Sequence, residues 1–174
     1  MDKYIWLLFK VIVLSAVMIT GVVTFYGVYS FKYNSNCRTP LFNATMATDI
    51  TIAIEDMEMA IAYLEQSNTI KGNTNIIEFD MSNDIKAWYD GLKYQLDDLK
   101  SASKKDKIDQ YIALFNLRKL NYLNSGSLSI KQPSYIEMYP YHKLFVISFF
   151  LSLSAFLLAA VSMIVLIIVD ITRK

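Results

Sequence analysis

The chain has 174 residues, 54% of them hydrophobic, and its 17 lysines and arginines nearly balance 16 aspartates and glutamates. So even a balance excludes the basic field that captures nucleic acid, and no nucleic-acid partner is expected. A single cysteine, Cys37, excludes an internal disulfide, so any aqueous domain must be held by packing alone.

Residues 1–10 carry Lys3 and Lys10 beside Tyr4 and Trp6. They read as a cytoplasmic, interfacial N-terminus, with the rings at headgroup level and the Lys10 stem reaching back toward Lys3. Residues 11–29 are apolar for long enough to cross a bilayer as a helix. This run is too long for the core of a secretory signal, ends in the bulky Phe25, Tyr26 and Tyr29, and has no small-residue cleavage site, which makes it an uncleaved signal anchor.

Residues 30–143 form the extracytoplasmic domain of this reading. Thr39 followed by Pro40 predicts a helix start, because threonine caps free amides and proline suits a first turn. Met46, Ile50, Ala53, Met57, Ala60 and Leu64 alternate four and three residues apart, with Ile54 and Ile61 beside them, which makes one packing stripe. Ser67, Asn68 and Lys71-Gly72-Asn73 end that helix. A second helix is predicted over residues 84–100, capped by Ser82 or Asn83, with Ile85, Trp88, Leu92, Leu96 and Leu99 on one face and Trp88 as its main anchor. A third is predicted over residues 105–122, burying Ile108, Ile112 and Phe115 and stopped by Asn124-Ser125-Gly126. The expected fold class is all-α: two transmembrane helices flanking an antiparallel three-helix bundle, or a four-helix one if either span extends into it. Residues 75–79 and 127–130 have extended character and would add a minor two-stranded ribbon. Residues 131–141, with Pro133 and Pro140, read as an ordered loop. Its Tyr135, Tyr139 and Tyr141 are expected to ring the same membrane interface as Phe25, Tyr26 and Tyr29.

Residues 144–169 carry no charge and form the second span, leaving residues 170–174 as a cytoplasmic tail in which Asp170 sits near Arg173. Lys3 and Lys10 at one end, and Arg173 and Lys174 at the other, place both termini in the cytoplasm and the central domain in the periplasm or outside the cell. Ser148, Ser152, Ala155, Ala159 and Ser162 line one face of the second span, as Ala16, Thr20, Thr24 and Gly27 line the first. These faces are expected to pack on each other, or to serve a homo-oligomer or a membrane partner. With no ionisable group in mid-span, a proton relay, transporter site or voltage sensor is not expected.

No catalytic, cofactor-binding or metal residue is assigned, and no cofactor is expected. Glu55-Asp56-Met57-Glu58 points its acids in different directions around a helix and reads as a solvated face. His142, the one histidine, cannot build a multi-histidine metal site and is expected to be hydrogen-bonded at the interface. Of Met46, Met57 and Met59, the first two lie on the stripe and read as core filler, not copper ligands. Asn43-Ala44-Thr45 fits the glycosylation acceptor pattern. Cys37 reads as a free or buried thiol, with an intermolecular disulfide as the alternative. An enzyme would need a cleft joining groups such as Asp80, Asp84 and His142.

The layout of span, helical domain and returning span resembles the sensory half of bacterial chemoreceptors and histidine kinases. That resemblance implies a ligand-sensing bundle, and since the chain ends just after Asp170, its output would pass through a separate partner. The residues themselves point first to a non-catalytic scaffold or accessory subunit of a membrane or envelope complex, binding a protein partner through the external domain. The content of Ile, Asn, Lys and Tyr suits an AT-rich genome, a phage or virus included.

Overall fold

The computed structural model describes residues 2–67, 69–75, 83–121 and 131–172. Among them the chain is nearly all helical, with no strand: α1 (Asp2–Tyr33), a π-helical turn (Asn34–Arg38), α2 (Thr39–Met46), α3 (Ile50–Gln66), α4 (Ile85–Ala102), α5 (Lys107–Asn121), a 3-10 turn (Ile136–Met138) and α6 (His142–Thr172). They divide into two compact units, Met1–Val28 with Lys143–Lys174, and Tyr29–His142.

In the first unit two helices are long and apolar enough to cross a membrane, with mean hydropathies of 2.3 and 2.7 in their most apolar stretches. Leu7, Leu14, Phe150 and Leu158 point outward, so these helices are apolar on nearly every side. The Lys10 ammonium lies 3.4 Å from the centre of the Trp6 ring, which turns its stem toward the N-terminus and pairs the charge with a π face. The Thr20 and Thr24 hydroxyls donate to the carbonyls of Ala16 and Thr20, at 2.9 and 2.8 Å, and are satisfied without water. Phe25 and Phe145 bring the two helices together, their ring centres 6.3 Å apart. One expectation needs correcting. Ala16, Thr20, Thr24 and Gly27 are exposed, and a Cβ at Gly27 would meet nothing within 4 Å. The covered face of α1 runs instead through Ser15, Ile19 and Val22, about 100° round the helix from Ala16, while Ser148, Ser152, Ala155 and Ala159 of α6 are covered and Ser162 is not.

The second unit departs from expectation at its first turn. A helix starts at Thr39 with Pro40 in its first turn, as expected, but Thr39 is not its side-chain cap: the backbone is already helical from Tyr33, and the Thr39 amide donates to the Asn34 carbonyl five residues back. Pro40 lacks an amide donor and its ring crowds the carbonyl four residues earlier, and the wider π turn just before it makes room. The true break comes at Ala47, where the chain turns extended, and the Asp49 carboxylate caps α3 by accepting from the Thr51 amide at 2.7 Å. The expected stripe is therefore split. Ile50, Ala53, Met57, Ala60, Ile61 and Leu64 are buried on α3, while Met46 ends α2 and is exposed.

On α4 the cap is Asp84, not Asn83 or Ser82, accepting from the Ala87 amide at 3.0 Å. Its buried seam is Ile85, Tyr89, Leu92, Leu96, Leu99 and Ala102. Trp88 is not the central anchor but a half-buried flank, its indole N–H donating to the Lys131 carbonyl at 2.9 Å. The Asp106 carboxylate accepts from the amides of Ile108 and Asp109, both at 3.0 Å, and so caps α5. The face of α5 also differs from expectation: Ala113, Leu114 and Leu117 are buried, and Ile108, Ile112 and Phe115 point out. α5 packs against both α2 and α4, and the small Ala113 leaves room for that double contact.

α2 packs on α3, α3 on α4, α4 on α5, and α5 returns to α2. Leu41, Met57, Leu64, Ile85, Leu92, Leu99 and Leu117 are fully buried between them, each contributing about 1.5–3 kcal/mol of apolar burial. The β-bridge among the described residues joins Asn73 to Asp84. Residues 76–79 and 127–130 of the expected ribbon lie outside the described residues, as do Asn68, Asp80, Asn124-Ser125-Gly126 and Arg173.

Candidate functional site

Two surfaces of the second unit are candidates. The first is a cavity of about 390 Å³ walled by tyrosines. Tyr29 and Tyr33 stand four residues apart and so share one face of α1, and Tyr63 meets them from α3. The segment of residues 131–141 closes the other side with Tyr139 and Tyr141, held down by the buried side chains of Pro133, Ile136 and Met138. The Tyr33 hydroxyl donates to Gln132 Oε1 at 3.0 Å. Tyr33 packs edge-on to Tyr63 and Tyr29 edge-on to Tyr141, each pair with ring centres 6.4 Å apart. Tyr139 stacks on His142 at 5.6 Å and covers Gly72, whose φ of +112° and lack of a side chain let the phenol lie against the backbone.

Polar surface slightly exceeds apolar in the lining. Glu137 contributes a carboxylate, and the Ser67 and Thr69 hydroxyls, 2.7 Å apart, bond to each other. Among the described residues no lysine or arginine lines the cavity. Burial, with the Cys37 sulfur adding to it, holds the Tyr63 hydroxyl above its ordinary ionisation range, so that ring is neutral at physiological pH.

The second surface is the outer face of α5. Ile108, Tyr111, Ile112 and Phe115 repeat at three- and four-residue spacing and are 70%, 73%, 52% and 62% exposed. Tyr94 of α4 is 74% exposed and, with Asp98, Ala113 and Asn116, lines a second cavity of about 330 Å³ between α4 and α5.

The residues weighed from sequence are placed as follows. Within the acidic group Met57 is buried and Glu58 pairs with Lys100 at 2.6 Å, while burial and the charge of Glu55 raise Asp56 above the usual carboxylate range. Met59, like Met46, is exposed, which leaves Met57 as the one core methionine of those three. His142 is buried against Tyr139, and the Asp84 carboxylate is occupied as a helix cap. Cys37 is fully buried and so out of reach of a thiol on a second chain. Asn43 is exposed on α2, but the Thr45 hydroxyl of that triplet donates to the Phe42 carbonyl at 2.7 Å.

Sequence reasoning assigns Tyr29, Tyr139 and Tyr141 to a membrane belt and gives no role to Tyr33 and Tyr63. The signal present was the Tyr29/Tyr33 pair, but nothing local places Tyr63 or the 131–141 segment opposite it. Compared with family models, with characterised proteins and with solved structures, the chain matches none.

Proposed function

We propose that this chain is a non-catalytic, two-span membrane protein whose central domain, an antiparallel helical bundle on the extracytoplasmic side, docks onto another protein as a scaffold or accessory subunit. The observation carrying this reading is the outer face of α5, where four large apolar side chains stand in one row. Burying such a row against a partner removes apolar area from water, and the i, i+3, i+4, i+7 spacing is the pattern by which one helix lies in another's groove. Lys104, Lys105 and Lys107 before the row and Lys119 after it leave its ends modestly positive, with Asp106 and Asp109 offsetting part of that charge, which suits an acidic partner surface.

The test is purification of the tagged full-length chain from its native membrane in mild detergent, with mass spectrometry of what stays attached. The wild type should carry a stoichiometric partner that an Ile112→Ser/Phe115→Ser variant loses while keeping its helicity and melting temperature. Recovery of the chain alone, or equal partner retention by the variant, would count against docking through α5.

The tyrosine-walled cavity favours a second reading, a ligand-sensing domain that signals through a separate membrane partner. Its volume lies in the range of small-molecule sites, and aromatic walls are common in such sites.

A further inference from the structure

We infer that the cavity between α1, α3 and the 131–141 segment binds an alkylammonium group, held by the π faces of Tyr29, Tyr33, Tyr63, Tyr139 and Tyr141 and by the Glu137 carboxylate. This deepens the ligand-sensing reading and shares no residue with the α5 face, so failure of partner docking leaves it standing and the reverse.

A phenol ring carries negative potential on its faces, and a cation is drawn to them most strongly where water is excluded. Five such rings line one space, and among the described lining residues the one full charge is the Glu137 carboxylate. An anion would find no lysine or arginine among the described lining residues to pair with. A wholly apolar ligand would strip water from Glu137 and give it nothing in return. A small ammonium satisfies both the rings and the carboxylate, and its alkyl substituents suit the aromatic walls. The edge-on pairs leave about 390 Å³ open. The Ser67 and Thr69 hydroxyls can meet a polar group at the ligand's other end.

In sequence, Tyr29 follows the first apolar run and Tyr141 precedes the second, so a lipid headgroup and a free amine are both sources of the same chemistry. The experiment uses the full chain in phosphatidylglycerol nanodiscs, titrated with choline and with its uncharged isostere 3,3-dimethylbutan-1-ol, and followed by ligand-observed NMR. Choline should bind at least about tenfold more tightly than the isostere. Glu137→Gln, which keeps the side chain's shape, should weaken choline by about tenfold at an unchanged melting temperature. Tyr141→Leu, at a half-exposed position, should weaken it as well at an unchanged melting temperature. Equal binding of choline and isostere, no binding of either, or a Glu137→Gln variant that binds choline like the wild type would overturn the inference. In phosphatidylcholine nanodiscs, weaker apparent binding of soluble choline assigns the site to a lipid headgroup, and unchanged binding assigns it to a free amine.

Discussion

Gly72 shows how one position holds a local geometry. Its φ of +112° is strained for any residue with a Cβ, and a Cβ there would run into the Tyr139 phenol. Tyr139 cannot simply swing away, because it is stacked on His142. Gly72→Ala should therefore cost about 1–3 kcal/mol of stability in thermal or denaturant unfolding, and it should disturb the tyrosine-walled cavity as well. A melting temperature equal to wild type would show that Tyr139 is free to move. At Tyr89 the ring is buried while its hydroxyl reaches the surface and donates to the Glu65 carboxylate. That hydrogen bond, with Lys93 adding its charge, holds Glu65 below its ordinary value of 4.5. The same group raises Lys93 above 10.5, chiefly through Tyr89, and burial raises Tyr89 above 10.0. A depressed carboxylate stabilises the fold above its unfolded value and loses that contribution as pH falls through the folded one, whereas raised Lys and Tyr groups lose theirs as pH rises through their folded values. The cluster thus makes its modest, solvent-screened contribution between about pH 5 and pH 10 and loses it progressively on either side. Tyr89→Phe should return Glu65 toward its ordinary range in an NMR carboxyl titration. An unmoved Glu65 would place the cause elsewhere.

Arg118 links elements that the sequence pattern does not connect. From α5 it reaches the end of α2, where Nε donates to the Thr45 carbonyl at 3.0 Å and Nη2 to the Ala47 carbonyl at 2.6 Å. Carbonyls at a helix C-terminus lack partners within their helix and carry partial negative charge, so a guanidinium there satisfies both needs. Arg118→Ala should cost about 1.5–3 kcal/mol in denaturant unfolding, and Arg118→Lys should fall between, keeping the charge but not the fork. A cost equal for Lys and Ala would assign the effect to the fork alone. Legibility from sequence also divides by element. The α3 stripe was readable because its apolar residues are densest on one face, with only Ile52 and Met59 large and exposed on another, and both long apolar helices were readable from length and hydropathy. On α5 two apolar faces compete, Ile108/Ile112/Phe115 and Ala113/Leu114/Leu117, and the choice is made by α2 and α4, which no local period reports. Trp88 and Tyr89 pose the same problem as neighbours, where size favours Trp88 and register with Ile85 and Leu92 favours Tyr89. Thr39-Pro40 marks the start of α2, but not the π turn that leads into it without a break or the stop at Met46. The cavity was least legible, since its walls come from three places far apart in sequence.

At the scale of the whole molecule, two apolar helices put both termini on one side of the membrane if each crosses it once. The side is set by basic residues near the ends of the spans, and here the signals oppose each other: Lys3, Lys10, Arg173 and Lys174 against Lys32, Arg38 and Lys143. A long intervening domain is translocated largely regardless of its charge, so on the proposed reading the second group drops out of the balance and the termini are expected in the cytoplasm. The chain suits a direct test, because its single cysteine is fully buried and gives little background to a thiol reagent. In intact cells, Asn116→Cys, at an exposed position of α5, should react with a membrane-impermeant maleimide. Lys3→Cys should react only after the membrane is opened. The reverse pattern would turn the protein over and put the α5 face and the tyrosine-walled cavity in the cytoplasm, with cytoplasmic proteins as the partners to seek. Labelling of both sites in intact cells would mean that only one of the two helices crosses.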